Sequence, residues 1–393
     1  MYLISHHTAI SRFDRLKQPF FMCFGESGRR SDNGDFSCNL TVDRCPRNAI
    51  MGNIHFETEG DHMMKILILG ARARYEAYLP ALPFIRQQEL VFLDRDSSEE
   101  AILAQAADAG ILFADAIAPV PGSLIRRMPK LKLIQSEGVA YDKIDLDAAR
   151  ERGVWVCNNK GCNAGAVAEQ AILLMLMLLR RAVTGDRAVR EGRQMEVKER
   201  CMAGGLMELS ACRVGLVGFG DIAKATAERL APFGCEVYYY SRTRCSSDEE
   251  ERYGVTYLPL EELTASCDIV SLHCPVTEET RNMVDDGFLK RMKQSAYLVN
   301  TARGELVDNG ALCRALTEGT IAGAGLDTIA PEPVTADNPL ASLPTPAGDR
   351  LVLSPHLGGI TEAAFRRCHF HMWRNAERVA DGHKPDNIVN GLE

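Results

Sequence analysis

From Met64 onward, short apolar runs alternate with amphipathic stretches: KILILG, ELVFLD, ILFAD, LKLIQ and VWVCN are separated by helix-like segments such as SEEAILAQAADAG and LDAARERG. Near-continuous apolar strands spaced by helical pattern predict a parallel sheet with both faces covered. A long helix is expected over about 164–181. The alternation then restarts with CRVGLVGFG, EVYYYS, DIVSLH, AYLVN, IAGAGLD and RLVLSPH, so the expected fold is α/β with two doubly wound units. The segment 361–381 has an apolar and aromatic helical face but no strand partner, and is expected to pack back on the first unit.

Residues 1–61 show no sustained period of 2 or 3.6 and carry Gly, Ser, Asn and Asp clusters. Residues 1–63 therefore read as a disordered extension, or as translation upstream of a start at Met63 or Met64. Acids and bases balance there, which disfavours a transit peptide.

A chain of 393 residues has room for two or three domains, and 46% hydrophobic with 25% charged residues fits an ordinary globular protein. The net charge of -8 argues against nucleic acid as a partner. Thirteen cysteines are scattered without a C-x-x-C pair, so neither a zinc site nor a secreted disulfide framework is suggested. No metal is expected, and the thiols read as reduced and cytoplasmic. The longest apolar run, residues 171–179, falls well short of the roughly 18 residues a membrane span needs, and no membrane partner is expected.

The most informative local pattern is GLVGFGDIA, where an apolar strand runs into Gly218, Gly220, Asp221 and Ile222 and then a helical KATAERLAPFG. Gly218 permits the tight turn, Gly220 lets the backbone approach a pyrophosphate, and Ala223 is small enough for helix-to-strand contact. At the end of the next strand an acid would hold a ribose 2′-hydroxyl. Here Ser241 and Arg242 stand instead, so NADP(H) is favoured and NAD(H) is the alternative.

Downstream lie an arginine, two carboxylates and a histidine in ordered context: NTARGELVD with Arg303, LDTIAPEP with Asp327 and Glu332, and SPHLGG with His356. With SEGVAYDKID, AVAEQ and LHCPVTEET, these motifs make the chain resemble the D-isomer-specific 2-hydroxyacid dehydrogenases from Met64 onward. The resemblance implies a Rossmann cofactor domain (164–356), a flavodoxin-like substrate domain (64–163 plus 357–393) and a cleft between them. It implies that Arg303 binds the substrate carboxylate and carbonyl oxygen, that His356 is the acid/base, and that Glu332 pairs with and orients that histidine. Asp327 takes the position that contacts the nicotinamide amide. Thr301, Cys274, Pro275 and Thr280 belong to loops lining the cofactor.

The resemblance further implies that amides of Gly138, Val139 and Ala140 receive the substrate carboxylate. Ala140 replaces a more usual glycine. Arg72 and Arg74 could supply charge for a second acidic group on the substrate, or be simply solvated. The expected substrate is a small 2-keto or 2-hydroxy acid of the glyoxylate or hydroxypyruvate type. Phosphoglycerate dehydrogenase and D-lactate dehydrogenase activities are the alternatives, and an NAD(P)-sensing corepressor-like scaffold is the rival from another class. A homodimer is expected through the helix at 164–181 and its flanking arm.

Overall fold

The computed structural model describes residues 63–393, so the expectation for 1–62 lies outside the described residues. The apolar runs form two wholly parallel sheets. The first contains β1 (Lys65–Leu69), β2 (Glu89–Leu93), β3 (Ile111–Ala114), β4 (Leu133–Ser136) and β5 (Trp155–Cys157), in the order β2-β1-β3-β4-β5. The second contains β6 (Arg213–Val217), β7 (Glu236–Tyr240), β8 (Val255–Tyr257), β9 (Ile269–Leu272), β10 (Tyr297–Asn300), β11 (Gly323–Leu326) and β12 (Leu351–Leu353). Their order is β12-β11-β10-β9-β6-β7-β8.

Each order reverses once, beside β1 in the first sheet and between β6 and β9 in the second. Doubly wound sheets bind ligands outside the carboxyl ends of the strands at such points. The strand interiors are buried because both faces carry helices; Ile66, Leu67, Ile68 and Leu69 of β1 have no exposed surface.

The long helix spans Ala164–Leu179, with Arg180 as its C-cap and Arg181 in a left-handed conformation that starts the next helix, Ala182–Arg190. Its buried face, including Ala171, Leu174, Met175 and Leu178, packs into the core of the second sheet. The C-terminal helix, Glu362–Ala380, is capped by the Thr361 side chain and returns to the first sheet. There Met372, Trp373, Ala376 and Val379 pack with Ile66, Ile68, Ile111, Phe113 and Leu133. Trp373 meets Phe113 edge to face at 4.9 Å, so this helix is part of the first lobe's core.

Candidate active site

β6 delivers the chain to Gly218, whose φ of +94° and crowding both demand glycine. A Cβ there would lie 2.8 Å from Cys274 N and from the His273 carbonyl group, on the loop after β9. Gly220, two residues on, has open space where its Cβ would point. It caps the helix Asp221–Leu230, and the amides of Gly220, Asp221 and Ile222 donate to no acceptor among the described residues. Free amides at a helix start, beside empty space, suit an anion such as a pyrophosphate. Thr301 adds a buried hydroxyl without a partner among the described residues, so the residues present fit a dinucleotide.

Ser241 and Arg242 follow β7, whose last carbonyl, on Tyr240, accepts from Gly218 N at 2.8 Å. Arg242 is about three-quarters exposed and lies 3.8 Å from the equally exposed Glu279. Thr280 Oγ1 donates to the Pro275 carbonyl at 2.7 Å and accepts from Thr277 N, which closes the loop after β9 into a compact turn. Cys274 lies within that loop 3.8 Å from the Met283 sulfur, and burial pushes its thiol up to about 11. The neighbouring His273 ring is held down at about 4 by burial, and its Nε2 lies 2.9 Å from Ser271 Oγ.

The arginine, carboxylates and histidine come from the ends of β10, β11 and β12. Asn300, fully buried, donates to the Arg303 carbonyl at 2.8 Å and accepts from Ala302 N at 3.0 Å, which fixes the turn carrying Arg303. Gly304 then lies against the Ile329–Ala330 backbone, where no Cβ fits, so this turn and the loop bearing Glu332 are packed together. The Arg303 guanidinium donates to the Ala302 carbonyl at 2.8 Å through Nη1, and no carboxylate among the described residues pairs with it. It is a partly buried cation available to an anion.

Glu332 holds His356: its carboxylate oxygens lie 3.0 and 3.1 Å from His356 Nδ1. With Nδ1 bound, Nε2 is the nitrogen left to exchange a proton with a ligand. His356 itself has φ +58°, a conformation non-glycine residues seldom adopt. The surroundings hold it there: His356 N donates to the Asp327 carbonyl at 2.9 Å, and Leu357 N and Gly358 N each donate to the Asp327 carboxylate at 2.9 Å. Ser354 Oγ and Gln170 Nε2 also bond that carboxylate, at 2.6 and 3.2 Å, and Gln170 reaches Ser354 Oγ at 2.8 Å.

Asp327, 2% exposed, is thus the anchor of the histidine loop. Gln170 and Ser354 were both inside recognisable motifs, yet nothing local revealed this shared role.

In the first lobe, Ser136 Oγ accepts from Gly138 N at 3.2 Å and donates to the Ala140 carbonyl at 2.6 Å, while Asn158 holds the Val139 carbonyl at 2.8 Å. The amides of Val139 and Ala140 donate to nothing among the described residues, so the turn offers two free donors. No hydrogen bond among the described residues joins this turn to Arg303 or His356.

Arg74 differs from both expectations for it. Its Nε donates to Glu137 at 2.8 Å and its Nη2 reaches Asp115 at 2.7 Å, and Glu137 also meets His369 Nε2 at 3.0 Å. Two carboxylates already neutralise it, so it is neither solvated nor free for a second acidic group. Arg72 is exposed and pairs with Glu76.

A family profile described as the NAD binding domain of D-isomer specific 2-hydroxyacid dehydrogenases matches residues 172–358. A glyoxylate reductase of Korarchaeum cryptofilum is 37% identical over 293 residues, 75% of this chain and 86% of that protein. One of Thermococcus litoralis is 40% identical over 273 residues, 69% and 80% of the two chains. The NAD-complexed D-isomer specific 2-hydroxyacid dehydrogenase of Lactobacillus delbrueckii ssp. bulgaricus superposes with a TM-score of 0.70 at 27% identity. That match covers 83% of this chain and 99% of the other.

Proposed function

Because the chain belongs to the D-isomer-specific 2-hydroxyacid dehydrogenase family, we propose that it reduces glyoxylate or hydroxypyruvate to the corresponding 2-hydroxy acid, with NADPH favoured over NADH. It is an NAD(P)-dependent oxidoreductase acting on CH–OH donors. The observation carrying the reading is the His356–Glu332 pair, with an arginine free of carboxylates on the adjoining loop. In this reading residues 164–356 are the cofactor domain, and 64–163 with 357–393 form the substrate domain.

When bound, a reduced nicotinamide supplies the hydride that the carbonyl carbon accepts. Arg303 grips the carboxylate and carbonyl oxygen of the keto acid, and its positive charge draws electrons toward that oxygen. The Val139 and Ala140 amides receive the other end of the carboxylate, whereas the Gly138 amide, expected to join them, is taken by Ser136 Oγ and is not available. His356 gives its Nε2 proton to the carbonyl oxygen, and Glu332 balances the charge of the imidazolium before transfer. In the oxidative direction the same nitrogen takes the proton back.

The cofactor preference rests on Ser241 and Arg242 occupying the end of β7 where an acid would hold a 2′-hydroxyl. Arg242 is exposed and held only by Glu279 at 3.8 Å, so it is free to turn to a 2′-phosphate. Arg242→Ala is expected to lower kcat/KM for NADPH about tenfold or more while leaving NADH within about twofold. Equal losses with both cofactors, or a wild-type preference for NADH, would refute the assignment.

The protein is proposed to act as a cytoplasmic homodimer. The helices Ala182–Arg190 and Gln194–Gly204 enclose a groove of about 530 Å³ lined by Ala188, Val189, Val197, Cys201, Met202 and Leu206. Val189, Met195 and Met202 are 59%, 56% and 73% exposed, an apolar face that a second copy would cover.

A further inference from the structure

Two stretches of chain connect the lobes: residues 158–163, between β5 and the long helix, and residues 354–361, between β12 and the C-terminal helix. They run against one another. A Cβ on Gly359 would meet Asn163 Nδ2 at 2.8 Å, and Arg367 Nε donates to the Cys162 carbonyl at 2.8 Å. The Arg367 bond brings Cys162, partly exposed on the first connection, beside the start of the C-terminal helix, where the next residue is Cys368, 6% exposed, and the two thiols are near enough for each to perturb the other.

We propose that Cys162 and Cys368 form a thiol-oxidation site, in which a hydroperoxide oxidises Cys162 and Cys368 resolves the product as an intramolecular disulfide. Neither sulfur takes part in the proposed reduction of keto acids. The two positions divide the labour that such a pair needs: an accessible thiol beside a cation, and a sheltered partner within reach. The Cys368 thiol, and then the Arg367 guanidinium, hold Cys162 below the usual cysteine range. Cys368 itself is pushed well above that range by Cys162 and by burial. Burial also raises Cys157 to about 12 and Cys212, Cys267 and Cys274 each to about 11, which leaves those thiols poor competitors.

The chemistry balances with hydrogen peroxide as the hydroperoxide. The Cys162 thiolate attacks one peroxide oxygen, the O–O bond breaks, and the departing hydroxide takes up a proton to leave as water. The Cys368 sulfur then attacks the sulfenic sulfur of Cys162. The S–O bond breaks, the Cys368 proton leaves with the hydroxyl as a second water, and the S–S bond forms. Two thiols lose two electrons and two protons in all, and the peroxide becomes two waters. The bond fastens the first connection to the helix continuing the second, the connection that carries His356.

The test is treatment of the full chain with hydrogen peroxide, followed by mass spectrometry of the intact protein and its peptides, a readout independent of any reductase activity. The wild type is expected to lose about 2 Da, to yield a peptide linking Cys162 to Cys368, and to regain its mass with dithiothreitol. Cys368→Ser should stop at a Cys162 sulfenic acid that dimedone traps, and Cys162→Ser should form no linked peptide at matched peroxide. First oxidation at another cysteine, or a Cys162 that peroxide leaves reduced while Cys368→Ser shows no dimedone adduct, would overturn the proposal.

Discussion

Replacing Gly218 and Gly220 separately by alanine separates the scaffold of the nucleotide loop from its binding surface. At Gly218 the methyl group enters a backbone with φ +94° and lands 2.8 Å from Cys274 N and the His273 carbonyl group. The positive φ costs about 1–2 kcal/mol for an L-residue and the forced backbone shift about 1–3 kcal/mol more. Gly218→Ala should therefore lose roughly 2–5 kcal/mol of folding stability.

Gly220 has φ -86° and nothing within 4 Å of an added Cβ. Alanine there should change stability by no more than about 1 kcal/mol, since a lost cap preference and a less flexible unfolded chain oppose each other. Its methyl nevertheless fills the space where a pyrophosphate would approach the helix start. NADPH affinity should fall at least about tenfold, or ~1.4 kcal/mol. Urea denaturation gives the stabilities, and quenching of intrinsic fluorescence on titration with NADPH gives the affinities. The reasoning fails if Gly220→Ala is destabilised as much as Gly218→Ala, or if it binds NADPH like the wild type.

Two further outcomes follow from the polar interior and one from the exposed apolar groove. Arg74→Met removes the cation shared by Asp115 and the buried Glu137, leaving Asp115 only the more distant Arg95, and should cost about 2–4 kcal/mol in urea denaturation; a loss below about 0.5 kcal/mol would mean the network contributes nothing. His273 is held down at about 4, so it is neutral in the folded protein while the unfolded chain protonates near 6.5. Stability should fall as pH drops from about 6.5 toward 4, and His273→Gln should remove roughly 1–2 kcal/mol of the drop between pH 7 and 5. An unchanged slope in the variant would contradict that. Met202→Glu, which places a charge on the most exposed apolar side chain of the groove, should shift the sedimentation of a dimer toward the monomer.

The two parallel sheets were legible because buried strands leave continuous apolar runs, and the glycine loop because strand, turn and helix are contiguous. β8 was overlooked for the opposite reason: Val255–Tyr257 is three residues long, lies at a sheet edge and has only Val255 buried. Long-range polar pairings left no local trace at all. Arg74 bonds a carboxylate 63 positions away, and that carboxylate bonds a histidine 232 positions further on, so the sequence around Arg72 and Arg74 offers only a free or a solvated arginine. Asp327 was recognisable as a motif residue, but the bonds its carboxylate receives from Gln170 and Ser354, and from the amides of the histidine loop, form only in the folded chain.

The central claim is a hydride-transfer enzyme in which His356 moves the proton. Its most direct test is the initial rate of NADPH oxidation by the purified full chain with glyoxylate and with hydroxypyruvate, set beside the same assay of His356→Gln. The account predicts turnover by the wild type with at least one of these acids, and a loss in kcat of about 10²- to 10⁴-fold in the variant. A wild type that binds NADPH yet oxidises it with neither acid, as a nucleotide-sensing scaffold would, contradicts the account, as does a variant that turns over at the wild-type rate.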